Sequence, residues 1–174
     1  MKLAPTFKQS PWVAPPEGAP EGRIDILKWL ASEGIPPERV VNLGSVPNCN
    51  MPSFLRECDV AVFPSRAEGA TNLVAMEAIA CGIPSILSAN TGHLDLLADI
   101  PLMALKSQAS IANVEPRDGM QGWGESEVDE IVEKLEMVHA DREVARRKAK
   151  DASEAIQSRA WSKRVAALMK SLVG

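Results

Sequence analysis

The chain has 174 residues, of which 45% are hydrophobic and 24% are charged, and this composition is typical of one globular domain. Its formal net charge of -4 argues against a protein that binds nucleic acid through bulk positive charge. No apolar stretch approaches the roughly 20 residues that a membrane-spanning helix needs. The 3 cysteines form no CxxC pair and the 2 histidines lie far apart, so we expect no metal site. The odd cysteine count favours a reducing, cytoplasmic location.

Residues 1–21 are rich in proline, which indicates extended or irregular chain. From residue 22 onwards the sequence predicts alternating helices and strands. GRIDILKWLASEGI has helical spacing, residues 40–43 read as a short strand, and MPSFLREC as a short helix. The apolar runs VAVF, SILS and PLMAL are predicted strands of a buried parallel sheet. Helices are predicted after the first two, over residues 73–81 and within TGHLDLLA.

Residues 107–124 have no periodicity and contain several glycines, so they are predicted to form a surface loop. The last third is predicted to be helical, with a charged helix that carries an alanine stripe over residues 141–156. A closing amphipathic helix is expected to pack on the core through Trp161, Val165, Leu168, Met169 and Leu172. This order of elements predicts an α/β domain with a mainly parallel sheet, followed by C-terminal helices.

The stretch SRAEGATNLVAMEAIACGIP connects a strand to a helix, at the strand end where α/β proteins bind ligands. The first N–H groups of such a helix favour an anion, and the small residues Gly69 and Ala70 let a ligand approach the backbone. Thr71 or Asn72 can cap the helix. An ordinary capped helix explains the same spacing without a ligand, so both interpretations stay open.

The segment DVAVFPSRAEGATNLVAMEAIACGIPSILSANTGHLDLL resembles the donor-binding domain of retaining glycosyltransferases with the GT-B fold, family 4 (group 1) in particular. Those proteins carry PS..EG, two spaced glutamates and EA.A.G.P before a strand. The resemblance is strong from about residue 59 to 97 and consistent from residue 22 to 161. It implies a Rossmann-like three-layer domain over residues 22–174, the nucleotide-sugar-binding half of a glycosyltransferase.

The resemblance also implies roles for individual residues. Glu68, as the catalytic-site residue, would bind hydroxyls of the donor sugar, and Glu77 the ribose hydroxyls. The diphosphate would be bound by the backbone N–H groups of five consecutive residues, Gly69, Ala70, Thr71, Asn72 and Leu73. Two further residues, Gly92 and His93, would lie on the next loop beside the donor. The expected partners are a nucleotide-diphosphate sugar, as substrate rather than cofactor, and an unknown acceptor.

Two features depart from the family pattern. Glu68 and Glu77 are nine positions apart where the family has eight, and we place the extra residue in the loop near Ala70 because the helix aligns without a gap. The strand and loop that bear the family's phosphate-binding Arg and Lys have no match, nor does the acceptor domain. We therefore expect a sheet that is incomplete at its N-terminal strand, and an isolated chain without transferase activity.

Two alternatives differ in class. One is a non-catalytic α/β nucleotide-binding or interaction module that has lost the transferase chemistry. The other is a helical interaction domain on the basic residues of the helix over 141–156, for which a solvated charged face is the simpler interpretation. If the first strand is absent, its neighbour has an unpaired edge, through which pairing with a second copy is expected.

Overall fold

A computed structural model describes residues 26–43, 46–111 and 119–173 of the chain. The predicted proline-rich segment over residues 1–21 lies outside the described residues. Contacts divide the chain into two compact units, residues 1–51 and residues 52–174. Among the helices that the structure describes, none combines the length and the apolar character that crossing a membrane requires.

The first unit contains helix α1 (Ile26–Ser32) and two short 3-10 helices (Pro37–Arg39 and Asn48–Asn50). Gly34 follows α1 with a φ of +81°, a left-handed conformation that glycine adopts without strain, and the helix ends there as predicted. The strand predicted over residues 40–43 is wrong, because these residues have no regular structure. A strand needs a hydrogen-bonded neighbour, and the described residues of the first unit contain no strand that could provide one.

The second unit is built around three parallel strands in the order β1, β2, β3. The elements run along the chain as α2 (Met51–Arg56, which begins at the boundary between the units), β1 (Ala61–Phe63), α3 (Leu73–Ala80), β2 (Ser85–Ser88), α4 (His93–Asp99) and β3 (Met103–Leu105). Val62 is in register with Ile86, and Leu87 with Ala104. Helices α3 and α4 form the crossovers, so the predicted parallel sheet is confirmed.

The central strand β2 explains why this part of the sequence folds as it does. All four of its residues are buried, which matches its continuous apolar run. Leu87 packs in one cluster with Ile79 of α3 and Leu96 of α4, and all three are fully buried. Burying each such side chain contributes about 1.5–3 kcal/mol. The core therefore holds α3 and α4 against β2.

A strand of two residues corrects part of the surface loop predicted over residues 107–124, of which residues 112–118 lie outside the described residues. Strand β4 (Gln108–Ala109) pairs antiparallel with β5 (Glu125–Ser126). The Gln108 amide donates to the Leu105 carbonyl (2.9 Å) and to the Ser126 hydroxyl (2.9 Å), which holds the pair beside the end of β3. Strands of two residues have no periodicity to read, and side-chain contacts distant in sequence determine them.

Three helices complete the second unit: α5 (Val128–Ala140), α6 (Arg142–Ala155) and α7 (Trp161–Val173), with a 3-10 helix (Ile156–Arg159) before the last. The alanine stripe of α6 is buried at Ala145, Ala149 and Ala152, as its periodicity predicts. Its basic residues are exposed, and Arg146 bonds Asp59 at 3.2 Å, in agreement with a solvated charged face. The expected packing of α7 on the core is wrong, since Trp161 is 83% exposed.

Candidate functional site

Two loops meet at the carboxyl ends of β1 and β2, where the sequence predicts the site. The first connects β1 to α3 and contains Glu68, and the second connects β2 to α4 and contains Thr91 and Gly92. The Glu68 N–H donates to the Thr91 hydroxyl (2.7 Å), and the Gly92 N–H donates to the Glu68 carbonyl (3.3 Å). A Cβ at Gly92 would overlap the backbone carbonyl of Ala70, so only glycine permits this approach of the loops.

The Glu68 carboxylate is held in place from two sides. Its Oε1 accepts a hydrogen bond from the Ser65 hydroxyl at 2.7 Å and another from the Asn72 amide at 2.9 Å. The side chain is 25% exposed, and within the described residues Oε2 has no hydrogen-bond partner. One oxygen is thus anchored to the protein while the other is available to a ligand at the mouth of the site.

Asn72 joins the loop to helix α3. Its backbone is left-handed (φ 56°), a conformation that asparagine tolerates better than most residues, and its Oδ1 accepts from the Ala75 N–H at 3.0 Å. This confirms one of the two predicted caps. In the part of the chain that the structure describes, the N–H groups of residues 69–72 have no acceptor. Together with the start of α3 they offer unpaired donors and a partial positive charge to an anion.

His93 is the first residue of α4 and is fully buried beneath the loops. Its Nε2 lies 3.0 Å from the Asn72 amide nitrogen, and its Nδ1 lies 3.0 Å from the Ser88 hydroxyl and 3.1 Å from the Ser88 carbonyl. Burial lowers the pKa of His93, and the nearby Glu68 carboxylate and the Ser88 carbonyl oppose that shift only partly. The ring therefore favours its neutral form.

The structure brings some of the predicted site residues together and leaves others apart. Direct hydrogen bonds or close contact bring together Glu68, Asn72, Gly92 and His93, with Ala70 against Gly92. Glu77 lies on the exposed face of α3, and within the described residues its carboxylate has no hydrogen bond or ion pair. The same open face carries Leu73, which is 73% exposed. Gly69 and Thr71 lie in the first loop, between Glu68 and the start of α3.

Sequence reasoning missed several residues that hold the loops together. Asn90 is buried and its amide donates to the Ser65 carbonyl (2.8 Å), the Gln108 side chain (2.8 Å) and, more weakly, the Gly124 carbonyl (3.3 Å). The Ser88 hydroxyl also donates to the Ser65 carbonyl, at 2.8 Å. The available signal was three polar residues at the end of a buried strand and just after it, at the ligand-binding edge of the sheet; these residues are Ser88, Asn90 and Thr91.

Charge at the site is limited in the described residues. Arg66 lies in the first loop, but its guanidinium forms a 2.8 Å ion pair with Glu125. Across the described ranges, no three His, Cys, Asp or Glu side chains are placed to share a metal ion. The chemistry that this site offers is therefore one carboxylate oxygen, backbone donors at a helix start, and a second carboxylate on the open helix face.

The parallel sheet with its crossover helices and its site at the strand ends defines a Rossmann-like domain of the GT-B type. Two solved structures share this fold. HepE from Anabaena, solved in complex with UDP, matches with a TM-score of 0.58 and 16% identity, over 84% of this chain and 36% of HepE. Sucrose-phosphate synthase from Thermosynechococcus elongatus matches with a TM-score of 0.60 and 21% identity, over 92% of this chain and 37% of the synthase.

A match to the sequence model of one protein family identifies the family of this chain. Residues 49–168 match the family described as "Family 4 Glycosyltransferase in conflict systems", and the chain belongs to it. The match includes both loops of the site and all three parallel strands. A search of curated proteins found no match. The chain spans little more than a third of the length of either structural neighbour, 36% and 37% respectively.

Proposed function

We propose that the chain is the donor-binding part of a glycosyltransferase and binds a nucleotide-diphosphate sugar at the carboxyl ends of β1 and β2. The observation that carries the proposal is the Glu68 carboxylate. One oxygen is anchored by Ser65 (2.7 Å) and Asn72 (2.9 Å); the other has no hydrogen-bond partner among the described residues and lies beside a helix start whose first N–H groups likewise have none there. A sugar hydroxyl and a phosphate are the groups that these two features bind well.

The parts of the donor are assigned along α3. The diphosphate binds the N–H groups of residues 69–73, because they sit at the positive end of the helix dipole and those of residues 69–72 have no acceptor within the described residues. Glu68 accepts hydrogen bonds from hydroxyls of the sugar. Glu77 accepts them from the ribose, since it lies exposed on the face of α3 that also carries Leu73. HepE, a neighbour in fold, was solved with UDP bound.

Finer properties of the proposal rest on the family resemblance. They are a hexosyl group as the transferred sugar, retention of its anomeric configuration, independence of a metal ion and a cytoplasmic location.

Transfer requires donor and acceptor held together with the leaving diphosphate stabilised. We propose that the chain alone does not transfer sugar at a measurable rate, and that pairing through the edge of β1 forms a homodimer.

Calorimetric titration tests donor binding directly. The probes are UDP, GDP and ADP, and then UDP-glucose, GDP-mannose and ADP-glucose. We expect one nucleotide series to bind, Glu77→Ala to weaken the bare nucleotide about tenfold, and Glu68→Ala to weaken only the added contribution of the sugar. Glu136→Ala, on the exposed face of α5, is the matched control. No binding of any probe at millimolar concentration would remove the proposed function.

A second candidate function is a nucleotide-binding module without transferase chemistry. The observation that favours it is the ion pair of Arg66 with Glu125, which engages the cation of the first loop away from a diphosphate. Nucleotide binding that gains nothing from any attached sugar, and is unaffected by Glu68→Ala, would support this candidate over the first.

A further inference from the structure

A continuous chain of hydrogen bonds, buried at its Ser88 end and partly buried at its Glu68 end, links β2 to the Glu68 carboxylate. It runs from Ser88 to the His93 ring, from the ring to the Asn72 amide, and from that amide to Glu68 Oε1. The successive distances are 3.0, 3.0 and 2.9 Å. Because each group can donate or accept in only certain directions, the neighbours of His93 determine which ring nitrogen carries the proton.

The Asn72 end of the chain fixes the role of Nε2. The oxygen of the Asn72 amide must face the Ala75 N–H, because a backbone N–H only donates. The amide nitrogen then faces both Glu68 Oε1 and His93 Nε2, and its two hydrogens serve one each. Nε2 must therefore accept a hydrogen bond, which requires an unprotonated nitrogen.

The Ser88 end of the chain reaches the same answer independently. The Ser88 hydroxyl donates its only proton to the Ser65 carbonyl (2.8 Å), so toward the ring it can only accept. The Ser88 carbonyl, 3.1 Å from Nδ1, also only accepts. Nδ1 thus faces two acceptors and must carry the proton. Both ends select a neutral ring that is protonated at Nδ1.

We propose that His93 is a positioning residue for the donor sugar: its neutral, Nδ1-protonated ring fixes the Asn72 amide, and Asn72 fixes the Glu68 carboxylate that receives the sugar. The proposal rests on the proposed function for the role of Glu68. The chain of hydrogen bonds itself rests only on the structure.

Protonation of His93 breaks this arrangement. An Nε2–H would face the hydrogens of the Asn72 amide at 3.0 Å, and rotation of the amide to relieve that contact would lose both the bond to Glu68 and the Ala75 cap. The charged group that faces the ring is Glu68, with Oε1 3.9 Å from Nε2, and a charged ring would attract it away from Ser65. Binding of the sugar should accordingly weaken in acid.

Nuclear magnetic resonance tests the hydrogen-bond chain without any ligand. The sequence has 2 histidines, His93 and the exposed His139, so long-range proton–nitrogen correlation spectra report both rings at once. His139→Gln assigns the signals and serves as the control variant. We expect His93 to be protonated at Nδ1 near neutral pH, and the Asn72 side-chain signals to shift when His93 titrates. A proton on Nε2, or titration without a change at Asn72, would overturn the proposal.

Variants test the positioning role through the affinity that the sugar adds to the bare nucleotide. His93→Phe keeps a ring but cannot accept from Asn72, and we expect it to lower that added affinity about tenfold. His93→Gln restores an acceptor that does not titrate. It should recover most of the loss and abolish the weakening in acid.

Asn72→Asp provides a second route if His93→Phe does not fold. An aspartate keeps the acceptor that caps α3 but removes both amide hydrogens, so we expect the same loss of the added affinity. Full sugar affinity in both variants would overturn the proposal and leave the proposed function intact. If no nucleotide probe binds, the proposed function and the donor role of His93 both fail, while the spectra still decide the hydrogen-bond chain.

Discussion

The strand-end loops and the C-terminal helix of the same unit are opposites in what they expose. The loops bury polar side chains, with Asn90 only 3% exposed and His93 fully buried. Helix α7 exposes apolar ones, with Trp161 at 83% and Leu172 at 71%. Burial of a polar group costs free energy unless it is hydrogen-bonded, and the loops meet that condition through Ser65, Ser88 and Gln108. The apolar side chains of α7, by contrast, stay exposed in the described part of the chain.

The difference shows what each region is built for. A buried, fully bonded polar network holds side chains in one orientation, which is what a binding site requires. An exposed apolar face contributes little to the stability of its own unit, because its side chains remain in contact with water. We therefore expect substitutions to have large effects at the core and the loops, and small effects on α7.

The largest contrast should come from a pair of leucines. Leu87→Ala leaves a cavity in the fully buried core and should destabilise the protein by about 2–5 kcal/mol, whereas Leu168→Ala on α7, where the side chain is 58% exposed, should change the stability by less than about 0.5 kcal/mol. Urea unfolding followed by circular dichroism measures both. Equal losses would mean that α7 packs on the core after all.

A pair of glycines tests how closely the two loops approach. A Cβ at Gly92 would overlap the Ala70 carbonyl and lie 3.1 Å from the Glu68 carbonyl, so Gly92→Ala should cost about 1–3 kcal/mol. Gly69→Ala is the matched control, because the space around Gly69 is open and its φ is not left-handed. The same unfolding experiment compares them. A neutral Gly92→Ala would show that the loops separate easily.

The pH dependence of stability tests the buried network. Burial lowers the pKa of His93 in the folded protein, so the neutral ring stabilises the fold fully above the unfolded-state value of about 6.5. That contribution is lost as the pH falls below it, because the unfolded chain takes up the proton first. His93→Gln should lack this part of the acid destabilisation, whereas His139→Gln should keep it. Identical pH profiles for the two variants would contradict the burial of a neutral ring.

The same comparison explains which parts could be predicted from the sequence. The strands at Val62 and Ile86 and the helix cap at Asn72 follow from apolar runs and local hydrogen bonds, which neighbouring residues determine. The roles of Ser88 and Asn90 depend on partners about 20 or more positions away, and no local pattern encodes them. For Trp161, the helical spacing identified an apolar face correctly, but spacing does not reveal whether anything covers that face.

The smallest expected effect concerns Glu130 at the start of α5, a helix that lies in the sequence between the strand-end loops and α7. Glu130 accepts hydrogen bonds from the backbone N–H groups of Lys106 (3.0 Å) and Ser107 (2.8 Å), which lower the pKa of its carboxyl group. The stabilisation is therefore present above the unfolded-state value of about 4.3 and is lost as the pH falls through the lower folded value. Because the site is open to solvent, Glu130→Gln should cost only about 0.5 kcal/mol at neutral pH.

Urea midpoints measured across the acid range check this last prediction against Glu136→Gln, an exposed position on the same helix whose side chain has no hydrogen bond within the described residues. The gap between the wild type and Glu130→Gln should close below the carboxyl pKa, since a protonated glutamate no longer accepts as an anion. A gap that stays constant with pH would assign the loss to helix propensity instead. In that case the end of β3 is held by its pairing with β2, and the contact with α5 adds nothing measurable.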